Sequence, residues 1–377
     1  MHPAVTLLLL ALAVGSLVFT LLSIEAARRY LAVRPPPLRE TPPISVLKPL
    51  AGLDEGLEEN LRSFFEQDYP QFEILMAVST PDDPALAAAR RLQSAYPGIP
   101  SRILITGEPP YPNRKVRSIH EMTLAARHEL LVMSDSDIRV SRDMLRTLAA
   151  EFQDPQLALT TCPYRAVPGE SPWSRLEAVM MNTEFLAGIL TARMIEGMRF
   201  AVGPTIACRK QAVEAIGGFE SLKDFLAEDF VFGQRAAALR LGVALSSYVV
   251  EHRIGTAGFA QNREHRLRWV RSTRRSRPAG YAGQLFTYPL PLALLLTAAE
   301  PGWWPLLALA LLLRGISAWQ TAALILRDPL TTSRPWLAPL QDIVSFLYYL
   351  AGFFGDTIDW RGRKFRLHPD GTFTQIR

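Results

Sequence analysis

Residues 4–24 carry no charged side chain, and that run restricts where the rest of the chain can fold. It is long enough to cross a bilayer as a helix, which satisfies its own backbone hydrogen bonds where water cannot. The leading Met1-His2-Pro3 lacks the basic start of a cleaved leader, so residues 1–27 read as a retained signal anchor. Arg28, Arg29, Arg34 and Arg39 all follow the apolar run. The bias of basic residues toward the cytoplasmic side then places the main domain in the cytoplasm.

Three more apolar stretches fill the C-terminal third, at residues 281–299, 303–326 and 337–355. The first contains Pro289 and Pro291, the second Arg314, the third Asp342. An ionisable group at membrane depth is expected to face protein or a polar cavity. Four complete crossings would put the basic tail, residues 359–377 with Arg361, Arg363, Lys364 and Arg366, on the wrong side of the charge bias. The proline-broken first stretch of the membrane segments (residues 281–358) is therefore expected to be re-entrant or interfacial. Residues 177–198 are also apolar and Met-rich, and read equally well as a core helix or a lipid-contacting one. Mean hydropathy is +0.09, with the excess at the two ends.

Between those ends, residues 28–280 alternate short apolar runs with helical patterns, after the linker Arg34-Pro35-Pro36-Pro37. This predicts an α/β domain, a mostly parallel sheet with helices on both faces. The expected strands are residues 44–47, 73–78, 102–105, 129–133 and 157–161. The expected helices are 55–67, 84–96, 116–127 and 142–152. Ligands of such sheets bind beyond the carboxyl ends of the strands. Asp82-Asp83 and Asp135-Ser136-Asp137 both follow strands at that edge. There is no internal repeat, low-complexity tract or phosphate loop of the Gly-x4-Gly-Lys type.

A net charge of +5 and a pI near 9.3 suit anionic partners. No nucleic-acid motif accompanies the basic clusters, which leaves phosphates and anionic lipid. The two cysteines, Cys162 and Cys208, have no metal-ligand spacing and fit the core of a protein in a reducing compartment. No His-Cys cluster suggests zinc, and no Gly-x-Ser-x-Gly elbow suggests an acyl hydrolase. Nothing in the sequence sets an oligomeric state.

Asp135 and Asp137 close the apolar segment 129–133. Hard oxygen ligands at one strand end suit Mg2+ or Mn2+, which in turn takes the phosphates of a diphosphate. A solvated Asx turn is the plain alternative. Asp83, before Pro84, has the form of a helix cap, and its carboxylate can also accept from a nucleobase imide. Lys115 opens a helix, an unfavourable place for a cation unless an anion lies nearby; a solvated loop lysine is the alternative. Glu228 and Asp229 begin another helix, where acids complement the dipole; one of them could instead deprotonate an attacking hydroxyl. His265-Arg266-Leu267-Arg268-Trp269 lies among Arg263, Arg271, Arg274, Arg275 and Arg277. That stretch reads as a basic helix on anionic headgroups, or as Arg268 neutralising a departing diphosphate while Trp269 packs on acceptor or sugar. Both can hold, because a helix has more than one face.

Taken together, these stretches resemble the ceramide glucosyltransferase-like family of inverting, metal-dependent glycosyltransferases with the GT-A fold. The matching segments are Ile44 to Leu50, Phe64 to Pro70, Asp82-Asp83-Pro84, Asn113-Arg114-Lys115, Ser134 to Arg139, Ala227 to Phe230, Arg268-Trp269 and Asp359-Trp360-Arg361-Gly362-Arg363. They run in family order over nearly the whole chain. Within the family the chain looks closest to the bacterial hopanoid-biosynthesis glycosyltransferases, which attach N-acetylglucosamine to bacteriohopanetetrol. The resemblance implies a UDP-sugar donor, a lipid acceptor in the bilayer, a Mg2+ or Mn2+ cofactor and a multi-pass protein of the bacterial inner membrane. It implies Asp83 on the uracil; Lys115, Asp135 and Arg268 around the nucleotide sugar; Asp135 and Asp137 at the metal; Asp229 as general base. Trp269, His265 and Glu228 would face the acceptor. The family alternative is a ceramide or diacylglycerol glucosyltransferase; a processive polysaccharide synthase would need more spans. Two positions depart from the pattern. His265 stands where the family usually has Gln or Arg, and Asp137 where the eukaryotic ceramide enzymes have Gly.

Overall fold

The computed structural model describes residues 3–376; Met1 and His2, on which the signal-anchor reading partly rests, lie outside them with Arg377. Helix α1, Pro3–Tyr30, spans the uncharged run. Its buried face is a stripe of small residues, Ala13, Ser16, Thr20, Ser23, Ala26 and Ala27, while Leu7, Leu8, Val18 and Leu21 point outward. Small side chains let neighbouring helices approach, and the outward leucines present the surface a bilayer accepts. Thr191 donates to Ser23 at 3.0 Å and Ser16 to the Phe286 carbonyl at 2.9 Å, tying α1 to two distant parts of the chain.

The central sheet orders its strands β3-β2-β1-β4-β8-β6-β9. β1 is Ile44–Pro49, β2 Phe72–Val78, β3 Ser101–Ile105, and β4 Leu130–Ser134. They alternate with helices α2 (Leu57–Phe65), α3 (Ala85–Ala95) and α4 (Arg114–Ala125), and pair in parallel. Strand side chains alternate between faces, so β1 sends Ile44 and Val46 into one core and Leu47 into the other. Each expected strand and helix of this half is present, with ends shifted by a residue or two. After β5 (Ile138–Arg139) and α5 (Met144–Glu151) come β6, Leu157–Thr161, and β7, Tyr164–Pro168. β8, Thr205–Arg209, inserts antiparallel between β4 and β6, and β9, Gly242–Leu245, closes the edge. A second small sheet joins β5 and β7 through β10, Val250–Gly255.

Residues 177–198 lie in one broken helix: α6 (Pro172–Met180), a π-helical turn Met181–Phe185, and α7 (Leu186–Glu196). It packs between the sheet domain and the apolar helices, so its apolar face meets protein on both sides. Beyond α8 (Lys210–Ala215) and α9 (Glu228–Ala238) runs the basic helix α10, Phe259–Ser276. Its cations are largely spent internally. Arg271 and Arg274 donate to the carbonyls of Phe353 to Thr357, Arg277 pairs with Glu196, and Arg266 is buried against Ser345 at 3.0 Å.

The C-terminal third opens with α11 (Pro278–Gly283) and α12 (Pro289–Ala299); the segments Pro278–Thr287 and Pro289–Ala299 meet at a 60° bend. α13, Trp304–Ala318, continues through a π-helical turn to Ile325. Among the described residues two helices are long and apolar enough to cross a membrane, or three if the bent pair is one span. After the short α14 (Pro329–Ser333), α15 (Leu337–Ala351) lies against α6 and α10. Arg314 and Asp342 form a bidentate pair at 2.8 Å for each bond, with Thr183 of the π turn as third partner at 2.9 Å. Both charges therefore face protein, as expected for ionisable groups at membrane depth.

The basic tail is folded. β11 (Thr357–Trp360), β12 (Arg363–Leu367) and β13 (Phe373–Gln375) form an antiparallel sheet whose Phe373 N–H bonds the Asp224 carbonyl at 2.9 Å. Its Ile358, Phe365, Leu367 and Phe373 form a small core that Leu226, in the loop before α9, joins.

Candidate functional site

The carboxyl ends of β1, β2 and β4 form one rim, and the acidic turn sits at its centre. β4 is buried throughout and ends at Ser134, whose hydroxyl meets Thr205 Oγ1 at 3.0 Å. Asp135 N–H bonds the Pro204 carbonyl at 3.0 Å, and Ile138 N–H returns to the Asp135 carbonyl at 3.3 Å, closing the turn. Beneath it lies Lys48, fully buried, with Nζ 2.5 Å from the Asp135 carbonyl oxygen and 3.8 Å from the Phe64 ring centroid. Burial pulls its ammonium down to about 7, against the attraction of Asp135, Asp137 and Asp54. Ser136 donates to Asp54, so a third carboxylate braces the turn from the loop after β1.

The two aspartates are distinguished by their neighbours. Asp135 faces Lys115, whose Nζ lies 2.8 Å from Oδ1 and 3.1 Å from Oδ2. Burial and repulsion from Asp137 nevertheless push the Asp135 carboxyl upward, against Lys115. Asp137 faces His252, with Nε2 3.1 Å from Oδ2. Burial works against ionisation there too, but His252 and Lys48 hold the Asp137 carboxyl down at about 2. Burial would lower the His252 imidazole, and Asp137 reverses that, raising it. The small second sheet creates this contact, since β10 pairs His252 with Ile138 directly after the acidic turn.

The opposite wall comes from α4 and α9. Asn113 caps α4 by accepting from Val116 N–H at 3.1 Å, and donates to the Phe225 carbonyl at 2.8 Å. Lys115 thus enters the site in the first turn, and reaches Glu228 at 3.0 Å as well as Asp135. Burial opposes its charge, yet Asp135, Glu228 and Asp229 together raise its ammonium above the usual lysine range. The anion that its awkward helical position called for is therefore present twice. Asp229 follows Glu228 into the same narrow cavity, bounded by Lys115, Asp135, Gly203, Glu228 and Asp229. Glycine at 203 makes the room: a Cβ there would stand 2.7 Å from Asp229 Oδ2. Burial and the neighbouring Glu228 push the Asp229 carboxyl up to about 7.

Asp83 stands at the far end of the rim. It accepts from Ala85 N–H at 2.9 Å and Gly52 N–H at 3.0 Å, so it both caps α3 and fixes the loop after β1. On α10, Arg268 makes no hydrogen bond or ion pair among the described residues; its guanidinium lies 5.9 Å from the Trp360 ring centroid. Burial, with Arg361 adding repulsion, draws it down to about 10. Trp269 packs against Phe185 and the edge of His265, with centroids 5.7 and 5.1 Å away. His265 Nδ1 bonds the buried Glu177, which also accepts from Asn262 at 2.6 Å. Burial would raise Glu177, but His265 holds it below the usual carboxylate range.

The acidic turn, Lys115, Glu228 and Asp229 thus share one cleft, and Arg268 feels the charges of Glu228 and Asp137. Asp83 is tied to the loop after β1, while Trp269 and His265 pack against Phe185 and Glu177. Lys48, Asp54, Glu177 and His252 carried no signal of their own in the sequence. Lys48 sits in an apolar strand, Glu177 in a Met-rich helix, and His252 lies 115 residues along the chain from its partner.

The residues present fit a divalent cation. Among the described residues Asp137 Oδ1 is buried without a hydrogen-bond partner, beside a His252 whose Nδ1 is likewise unpaired. Among the described residues no three acidic, histidine or cysteine side chains form a ready cage. That incomplete shell suits a cation that takes further ligands from a diphosphate and water.

A family model for glycosyl transferase family 21 matches residues 8–373. The chain belongs to glycosyl transferase family 21. Curated relatives include ceramide glucosyltransferase 1 and ceramide glucosyltransferase 3 of Caenorhabditis elegans. They are 29% identical over 209 residues and 25% over 231, covering 55% and 61% of this chain. The matched regions span 44% and 50% of those relatives' own lengths. Among solved structures, the mannosyltransferase PcManGT of Pyrobaculum calidifontis, in complex with GDP-Man and Mn2+, aligns with a TM-score of 0.57 at 19% identity. It covers 91% of this chain and 98% of that one. The family 21 chain therefore has the GT-A fold, with apolar helices added at both ends.

Proposed function

We propose that this family 21 protein moves a sugar from a UDP-sugar to the hydroxyl of a membrane lipid, inverting the anomeric centre in a single displacement. The observation that carries the reading is the double pairing of Lys115, which gathers the acidic turn and the Glu228-Asp229 pair into one cleft beside the apolar helices. That arrangement supports a diphosphate at the acidic turn and a base at the opposite wall.

In this reading Asp83 and the loop it fixes receive the uracil. Asp135, Asp137 and His252 would hold Mg2+ or Mn2+, which when bound offsets the charge on the leaving UDP. Arg268, without a hydrogen bond or ion pair among the described residues, turns its guanidinium to the diphosphate. Asp229 accepts the proton of the attacking hydroxyl at its carboxylate; with its carboxyl near 7 it is basic enough to do so and still ionised in a useful fraction. Trp269, Phe185 and Tyr164 offer an aromatic wall to the acceptor, with the His265–Glu177 pair behind it. Residues 28–280 would act at the cytoplasmic face of a bacterial inner membrane.

The names of the relatives favour glucose as the sugar and a ceramide-type hydroxyl as acceptor, with diacylglycerol as its variant. N-acetylglucosamine on bacteriohopanetetrol is the second reading, and what favours it is Asp137 with its His252 partner, where the eukaryotic ceramide enzymes carry Gly. The test crosses UDP-glucose and UDP-N-acetylglucosamine with ceramide, diacylglycerol and bacteriohopanetetrol, using the full chain and Mn2+. Mass spectrometry should find one lipid bearing one sugar. A polymeric product would overturn single transfer, and no transfer to any lipid would overturn the acceptor class.

A further inference from the structure

β11 and β12 meet at Trp360-Arg361-Gly362, where Arg361 has φ 49° and Gly362 φ 75°. A side chain other than glycine or asparagine is disfavoured in this left-handed region, so an arginine here does not serve the turn. Exposed though it is, Arg361 donates to the carbonyl of Ala51, in the loop after β1 that Asp83 fixes through Gly52. The adjacent Trp360 lies under Arg268. Asp54, which feels the charge of Arg361, is hydrogen-bonded to Ser136 between the two aspartates of the acidic turn.

Two guanidinium groups, from α10 and from the C-terminal sheet, thus converge at the mouth of that turn. On the same sheet charge is matched at one point, as Arg363 lies 3.8 Å from Glu108. At the mouth it is not: among the described residues neither Arg268 nor Arg361 is ion-paired. Asp54 acts on Arg361, and Glu177, Glu228 and Asp137 act on Arg268, but only from a distance. The two guanidinium groups repel each other, and a polyanion held directly between them offsets that cost. The sheet is held in place for the purpose. Thr372 bridges Phe225, and Leu226 packs into the sheet's small core, so the loop leading to Glu228-Asp229 carries it.

We propose that Arg361 is a second diphosphate-binding residue, closing with Arg268 on the nucleoside diphosphate, and that the C-terminal sheet is a fixed wall of the donor site. The inference rests on the nucleotide-sugar reading above. Because glycine and asparagine both suit the backbone at position 361, Arg361→Gly and Arg361→Asn remove the guanidinium without disturbing the turn.

The experiment titrates UDP and UMP, each with Mn2+, into the full chain in non-ionic detergent by calorimetry. Loss of one charge-assisted contact should raise the Kd for UDP about 10- to 100-fold in both variants. The Kd for UMP should change far less, and Arg366→Ala, an exposed cation of the same sheet, should change neither. Unaltered UDP binding by Arg361→Gly would overturn the inference. An equal loss for UDP and UMP would move Arg361 to the nucleoside and overturn it too. So would retained UDP binding alongside lost binding to phosphatidylglycerol vesicles, which assigns Arg361 to lipid headgroups. Failure of the wild-type chain to bind UDP at all would instead overturn the nucleotide-sugar reading, and this inference with it.

Discussion

His252 Nε2 stands 3.1 Å from Asp137 Oδ2, and among the described residues the second oxygen of that carboxylate is buried without a hydrogen-bond partner. A buried, ionised oxygen with nothing to accept from is costly unless a ligand completes it. The arrangement predicts that Mn2+ strengthens UDP binding through Asp137. Asp137→Asn and His252→Ala should each weaken Mn2+ binding, read by electron paramagnetic resonance with UDP present, by about 10- to 100-fold. An Asp137→Asn chain whose UDP affinity responds to Mn2+ as the wild type does would remove the metal from this position.

Activity should track the ionised fraction of Asp229. Burial and Glu228 hold its carboxyl up at about 7, so the basic form is lost as pH falls through that value. We expect an acid limb in kcat near pH 7 and, in Asp229→Asn, a turnover lower by about 10²- to 10⁴-fold with UDP binding retained. Stability runs the other way. The folded carboxyl lies above its unfolded value, so its stabilising protonated form is fully present below about 4 and lost as pH rises through 7. Asp229→Asn, which cannot ionise, should therefore melt higher than the wild type at pH 8. A lower melting temperature at pH 8 would show that burial does not penalise this carboxylate.

The parallel half of the sheet was legible because buried strands and amphipathic helices differ in period. Strands 72–78 and 157–161 and the helices between them stand where apolar spacing put them, within a residue or two. The acidic turn was legible too, since two carboxylates directly after a fully apolar strand have few structural uses. What escaped was everything created by non-local pairing. β8 runs antiparallel between β4 and β6, and β10 carries His252 to Asp137, through contacts that no local pattern encodes. A row of arginines looks the same in sequence whether it meets headgroups or, as with Arg271 and Arg274, the carbonyls of the turn after α15 and of Thr357.

Arg314 and Asp342 are each within 6% of full burial, and they lie on different apolar helices. Breaking such a pair from one side strands the other charge, at a cost of about 3–5 kcal/mol. Arg314→Leu and Asp342→Leu should each lower the melting temperature in detergent markedly. The double variant should recover part of the loss, because no charge is then left unpaired. Additive losses in the double variant would mean that the two side chains do not compensate each other.

Glutamine at position 265 would keep most of what His265 does. Its Nδ1 bonds Glu177, and its ring supports the edge of Trp269. Glutamine keeps a donor for Glu177 and loses only the ring contact. His265→Gln should thus hold activity within about threefold of the wild type, the worth of a weak contact. His265→Ala removes both functions and leaves the buried Glu177 with Asn262 alone, a loss of about 1–3 kcal/mol. In the proposed reading Trp269 faces the acceptor, so that loss should fall on the lipid: the acceptor KM rises while the UDP-sugar KM stays near its wild-type value. An equal rise in both would mean that the pair supports the whole of α10, Arg268 included, and would take His265 out of acceptor recognition.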